Sequence, residues 1–431
     1  MIKNVSAIEI YDSRGNPTVE VKIELNSGEV AVASVPSGAS TGSMEAFEMR
    51  DGGSRLGGRG VQKAVDNVNN IIAKELIGMP IDSQLLIDKT LIELDGTQNK
   101  RRLGCNAILG CSLAAVKAGA MAKKLPLFQY IGGVSCNMLP VPLMNIINGG
   151  VHADNMLDIQ EFMIMPVGAD SFAGAMTIAG EIFQTLKVML KQNGLSTNVG
   201  DEGGFAPQIS SATNALDFIL TAIEKSGYKA GKDVLLALDV AASELFNNNL
   251  YSVDGEAMDY EALARYYRSL IINYPIFSIE DPMSEHDADG FQMLSNAIGN
   301  AVQLVGDDFF VTDSEKITAG VAKNIANAVL IKPNQVGTFS EAVDAIRTTQ
   351  DCGYQPVISH RSGETEDVTI SHIAVGTGSL QIKAGSMCRT DRIAKYNELL
   401  RIEHLLSGDA QYAGDKILEK YKQFRVNIDG K

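Results

Sequence analysis

A chain of 431 residues, 45% hydrophobic and 21% charged, is long enough for two or three ordinary domains, or for one barrel of roughly 250 residues with a smaller companion, and its composition excludes intrinsic disorder. A formal net charge of −15 argues against general affinity for nucleic acid, which draws on Lys and Arg neutralising phosphates, and leaves room only for a local basic pocket. It also means that an anionic small substrate needs cations in its site, side chains or metal ions, to offset the field of the whole protein.

The opening MIKNVSAIEIYDSRG has no apolar block behind a basic head, and no window holds about eighteen uninterrupted apolar residues. Neither a secretory signal nor a membrane span is expected, and the expected location is cytoplasmic. The five cysteines, Cys105, Cys111, Cys136, Cys352 and Cys388, are an odd number without metal-type spacing and read as reduced core thiols.

Up to about residue 60 the chain is strand-like. In TVEVKIEL, Val19, Val21, Ile23 and Leu25 alternate with polar residues; NSG supplies a turn and EVAVASV resumes the alternation, which predicts an antiparallel hairpin with one covered face. A Gly- and Ser-rich loop, PSGASTGSMEAFEMRDGGSRLGGRG, follows. Val61, Ala64, Val65, Val68, Ile71, Ile72 and Leu76 then fall on one helical face, and a second helix is expected over roughly 82–94 with Asp82 as its cap. CNAILGCSLAAVKAGAMAKK is rich in small residues and interrupted by Lys117, which suits a tightly packed internal helix. Strands followed by a block of helices make an α+β unit ending near residue 135.

Beyond Pro140 the pattern alternates. The apolar runs VLLALD, IFSIE, VQLVGD, AVLIK, PVISH and LQIK end at Asp239, Glu280, Asp307, Lys332, His360 and Lys383, at intervals of 23 to 41 residues. Segments of helical periodicity lie between several of them, and one βα unit needs about that length. In a parallel βα barrel all strand C-termini open on one face, so these six residues are expected to converge on one mouth. Any one of them alone reads more readily as an ordinary loop charge.

Asp239, Glu280 and Asp307 would repel one another at an apolar barrel mouth. A hard divalent cation resolves this, and an oxygen-only ligand set favours magnesium over zinc; the alternative is neutralisation by Lys332 and Lys383 without a metal. A lysine near a second ammonium and a metal ion is expected to have a lowered pKa and to serve as a base. Such a base suits abstraction of a proton next to a carboxylate, because the resulting enolate needs concentrated positive charge. A carboxylic acid to help a hydroxide leave is available at Asp201 or Glu202 in TNVGDEGGFAP, and His152 and Glu161 lie in GGVHADNMLDIQEFMIMP.

These residues occur within PSGASTG, NIINGGVHADN, IQEFMIMPVGA, NVGDEGGFAP, SIEDP, VGDD, IKPNQVGT and SHRSGETED followed by GTGSLQIKAGS, and in that order the chain resembles the enolase family over nearly its whole length. The resemblance implies an α/β fold: a C-terminal (β/α)8-type barrel domain over 136–431 with an irregular ββαα start, and an N-terminal α+β capping domain over 1–135 with a three-stranded antiparallel sheet. It implies the reversible, magnesium-dependent dehydration of 2-phosphoglycerate to phosphoenolpyruvate, a hydro-lyase step of glycolysis and gluconeogenesis, with two Mg2+ per site. It further implies that Asp239, Glu280 and Asp307 ligate the first ion, that Lys332 is the base at C2, and that Glu202 is the acid at the C3 hydroxyl. Glu161, His152 and Gln160 are placed beside that hydroxyl. Arg361 and Ser362, after His360, are implied for the phosphate, Lys383 for the carboxylate, and Ser40 for the second ion. A homodimer or octamer is implied as the assembly.

The chain departs from the family in lacking tryptophan, with Ala288 and Phe291 in EHDADGF where tryptophans are common, and in Pro333, Cys105 and Cys111. Two other functions remain open at this level. One is a superfamily dehydratase or racemase on another carboxylate substrate, which retention of Ser40, His152, Arg361 and Ser362 disfavours. The other is an enolase-like paralogue with a binding or scaffolding role.

Overall fold

The computed structural model describes residues 1–39 and 42–429; the Ser40 assignment therefore lies outside the described residues. Three antiparallel strands open the chain, β1 (Ile2–Tyr11), β2 (Pro17–Leu25) and β3 (Val30–Ser34), in the order β1-β2-β3. The alternating residues Val19, Val21, Ile23 and Leu25 are all buried, as a one-sided sheet requires. They are covered by the helix Cys105–Ala122. A Cβ on Gly110 would come within 2.6 Å of Val21 Cγ2, so glycine there sets how closely helix and sheet approach. This helix is apolar enough to cross a membrane by length and composition, yet 83% of it is buried inside the protein.

Two helical expectations need correction. The segment from Gln62 to Leu76 is one continuous helical run with a π-turn over Val68–Ile72. The wider turn carries Ile71 out of the stripe, leaving it 39% exposed while Ile72 and Leu76 stay buried. The next helix spans Gln84–Asp95 with Ser83 at the cap position; Asp82 pairs instead with Lys123 at 3.3 Å. Of the five cysteines, all free, only Cys105 and Cys111 are buried, and burial pushes both thiols up; the other three are half-buried.

The barrel comprises β4 (Val141–Asn148), β5 (Glu161–Met165), β6 (Leu235–Asp239), β7 (Ile276–Glu280), β8 (Gln303–Gly306), β9 (Ala328–Ile331), β10 (Gln355–Ser359) and β11 (Gln381–Lys383). It closes in the order β7-β8-β9-β10-β11-β4-β5-β6. Strand β5 is antiparallel to both neighbours, and every other contact is parallel. Two helices, Phe172–Gln192 and Ala212–Lys225, follow β5 before β6, giving the irregular ββαα start. Inside, Leu143, Met163, Phe277 and Leu330 belong to an apolar cluster that also holds Ile417, Tyr421 and Phe424, from the helix Gly414–Asp429. Gln303 and Gln381, at the starts of β8 and β11, exchange two 2.9 Å amide hydrogen bonds, and Gln303 also donates to Ser278. Outside, Phe291 packs edge-on against Phe309.

The N-terminal elements are joined to the barrel through Asp367. Its carboxylate accepts from Ser34 N–H, from Lys117 Nζ and from Thr369 N–H and Oγ1. Burial pushes this carboxyl up, but Lys117 and Thr369 outweigh it and hold it at about 2. A carboxyl depressed in the folded state contributes stability that is present above its ordinary value, 3.8, and lost as pH falls through about 2. Lys117→Met should therefore destabilise the protein near neutral pH by about 3–5 kcal/mol, the cost of leaving a buried charge unpaired. Denaturant unfolding followed from pH 5 to about pH 2 should show wild-type stability falling faster than that of the variant; equal slopes would refute the assignment.

Candidate active site

The strand register gathers the expected residues. Glu280 ends β7 opposite Asp239, which ends β6; Asp307, Lys332 and His360 directly follow β8, β9 and β10, and Lys383 ends β11. Glu161 begins β5 and pairs with Asp239. Because β5 runs in reverse, its first residue lies on the same rim as the last residues of its neighbours. His152, Gln160, Glu161, Glu202, Asp239, Asp307, Lys332, His360, Arg361, Ser362 and Lys383 line one cavity there.

Two lysines hold the carboxylates. Lys383 Nζ lies 2.7 Å from Asp239 Oδ2, 2.7 Å from Glu280 Oε1 and 3.1 Å from Glu161 Oε1. Lys332 Nζ donates to Asp307 Oδ2. The other Asp307 oxygen accepts from Gln335 Nε2 at 3.0 Å, and Thr312 Oγ1 fixes Gln335 while accepting the Lys332 backbone N–H. The expectation of a lowered Lys332 pKa is not met in this arrangement. Burial pushes the ammonium down, but the Asp307 carboxylate outweighs it and the net shift is upward. Lys383 is also raised, burial being overcome by Asp239 and Glu161.

Glu161 and Glu202 form a second group with His152 and His360. His152 Nδ1 lies 3.8 Å from Glu161 Oε1 and 3.8 Å from Glu202 Oε1, while His360 Nε2 is 3.4 Å from Glu202 Oε1. Asn145 Nδ2 donates to Glu202 at 3.3 Å, Gln160 Nε2 donates to Asp239 at 3.3 Å, and His152 Nε2 meets Ser362 Oγ at 3.1 Å. Burial, with the charge of Glu202, pushes Glu161 well up. For Glu202 burial also pushes upward, but His360 and His152 overcome it and hold it low. The two buried carboxyls are thus pushed in opposite directions by their neighbours. Asp201 is half-buried and contributes its backbone carbonyl to Arg392.

Arg361, on the loop after β10, is tied to the N-terminal elements. Its guanidinium grips Glu45 in a fork, at 3.0 Å to Oε2 and 3.2 Å to Oε1, and donates to Asn334 Oδ1 at 3.0 Å. Glu45 Oε1 also accepts from Gly42 N–H and Gln335 Nε2. The segment beginning at Gly42 is thereby fastened to both the Arg361 and the Asp307 sides of the cavity. Sequence reasoning missed Glu45, Gln335, Asp281, Asp308 and Arg392, although each lies in or beside a quoted motif. Asp281 accepts the Asp307 and Asp308 backbone N–H groups at 2.7 and 3.1 Å, so it positions the neighbouring acids.

The residues present fit a hard divalent cation. Glu161, Glu202, Asp239, Glu280, Asp281, Asp307 and Asp308 crowd this rim, against Lys332, Lys383 and an Arg361 already engaged by Glu45. Burial, then Asp239, pushes Glu280 well up; burial, then Asp307, raises Asp308 to about 7. Oxygen atoms of Asp281, Asp307 and Asp308 all lie within 4.8 Å of one another. Asp239 and Glu280 converge on one ammonium, and only oxygen donors are on offer on this side, which is the preference of magnesium.

Comparison with known families agrees with this geometry. A family model described as "Enolase, N-terminal domain" matches residues 2–131, and one described as "Enolase, C-terminal TIM barrel domain" matches residues 136–421. With its closed eight-stranded barrel and the charged rim above it, the chain belongs to the enolase family.

Proposed function

We propose that this protein is a hydro-lyase that interconverts 2-phosphoglycerate and phosphoenolpyruvate. One observation carries the reading: a single cavity joins a lysine at a strand end, the buried carboxyls of Glu161 and Glu202, a carboxylate group suited to a divalent cation, and a buried arginine. Proton abstraction beside a carboxylate followed by loss of hydroxide needs all four.

Lys332 takes the C2 proton as the neutral amine, after its ammonium group has left Asp307 and given a proton to solvent, and Gln335 keeps the Asp307 carboxylate in place meanwhile. Glu202, in its protonated form, gives a proton to the C3 hydroxyl, which leaves as water, with Glu161, His152 and Gln160 beside it. Arg361, oriented by Glu45 and Asn334, receives the phosphate together with Ser362. Lys383 meets the substrate carboxylate. Asp239, Glu280 and Asp307 would hold the first Mg2+, and Ser40 is assigned to the second; the ions supply the positive charge that a doubly charged enolate requires. The segment around Gly42, fastened through Glu45, is suited to close over the substrate and exclude bulk water. A cytoplasmic setting and a homodimeric or octameric assembly belong to the same reading.

Purified protein given 2-phosphoglycerate and Mg2+ should generate phosphoenolpyruvate absorbance; EDTA should abolish the signal and added Mg2+ should restore it. A folded protein without turnover would overturn the proposal in favour of a scaffold. Lys332→Ala should abolish solvent exchange of the C2 proton, a loss of about 10²-fold or more, while Mg2+ binding by calorimetry stays largely intact. Unchanged exchange would reject Lys332 as the base. Glu202→Gln should block dehydration yet permit exchange, and loss of both would undo the separate role of the acid.

A further inference from the structure

Arg392 is fully buried on the helix Thr390–Leu406 and has no part in the reaction as described so far. Its stem passes Gly385, where a Cβ would come within 2.7 Å of Arg392 Cδ. Its Nη atoms donate to the backbone carbonyls of Arg361 at 2.6 Å, Ser362 at 2.5 Å and Asp201 at 3.1 Å, and Nη1 also meets His360 Nδ1. Asp391 lies 2.7 Å from its Nε. One guanidinium therefore touches the loop carrying Arg361 and Ser362, the residue before Glu202, and the ring of His360.

The contact with His360 has a fixed sense. A guanidinium offers only hydrogens and stays protonated in proteins, so the ring nitrogen facing it must present a lone pair. Neutral imidazole carries one N–H, and with Nδ1 bare that hydrogen sits on Nε2, the atom 3.4 Å from Glu202 Oε1. Burial favours the neutral ring, holding its pKa down to about 3. His152 is a useful contrast: its Nε2 meets the Ser362 hydroxyl, which can donate or accept, so that contact leaves its tautomer open.

We propose that Arg392 is a positioning residue that sets the tautomer of His360 and thereby commits the only N–H of that imidazole to Glu202. The tautomer follows from the contact alone; its catalytic consequence rests on the reading of Glu202 as the acid at the C3 hydroxyl. With the other tautomer, two donors would confront each other at Nδ1 and a bare nitrogen would face a carboxylate at Nε2, which repels in both places.

The chain has only five histidines, so long-range proton–nitrogen NMR of the full protein labelled with 15N-histidine resolves the question, with His360→Asn used to assign the signal. Wild-type His360 should show a protonated Nε2 and a bare Nδ1 throughout about pH 6 to 8. In Arg392→Gln, whose amide oxygen can accept a hydrogen, and in Arg392→Met, which removes the donor, the Nδ1–H form should become populated while His152 is unchanged. Turnover of 2-phosphoglycerate by Arg392→Gln should fall about tenfold or more in kcat with KM within about twofold. A wild-type His360 bearing hydrogen on Nδ1, or a folded variant that keeps the pure Nε2–H form, would overturn the proposal. The wild-type measurement decides even if both variants fail to fold. A correct tautomer in a protein without turnover would fault the functional reading instead.

Discussion

Everything at the barrel mouth depends on an excess of buried carboxylates held by two strand-end ammonium groups. Asp239, Glu280 and Glu161 converge on Lys383, and Asp307 on Lys332. Removing either lysine would leave uncompensated charge in a site shielded from water, where it costs several kcal/mol. Each lysine thus keeps the rim together, as the upward shift of Lys332 reflects; under the function proposed above, each also has to act on substrate.

The architecture around this rim serves to hold charges at fixed spacing. Asp281 gives both carboxylate oxygens to backbone N–H groups of Asp307 and Asp308, Thr312 and Gln335 fix the Lys332–Asp307 pair, and Arg392 joins the loop after β10 to the turn of Asp201. The N-terminal sheet and helices add a second layer through Asp367, through Glu45 on Arg361, and through Lys100, which pairs with Glu341 at 2.8 Å. Cys105 also donates to the Asn334 carbonyl beneath the turn that follows Lys332. Such supporting contacts are what hold reactive groups in a productive geometry.

The strand ends were legible in the sequence because short apolar runs stop abruptly at a charge, and six such stops share one rim. Glu161 was not legible in that way: it begins its strand, and only the reversal of β5 brings it to the mouth. The position of Ile71 was misread because a π-turn breaks the 3.6-residue period on which the helical stripe was drawn. Glu45, Gln335 and Arg392 gain their meaning from partners far off in sequence, and no local pattern marks them.

The helix Gly414–Asp429 sends Ile417, Tyr421 and Phe424 into the same apolar cluster as the lower strand residues, so the cylinder is stoppered at its base. Whatever enters the site must leave through the doorway by which it came. In a dehydration the departing water and the larger product then share that exit with the next incoming molecule. Entry and release through one mouth, rather than passage along a tunnel, then set the order of events.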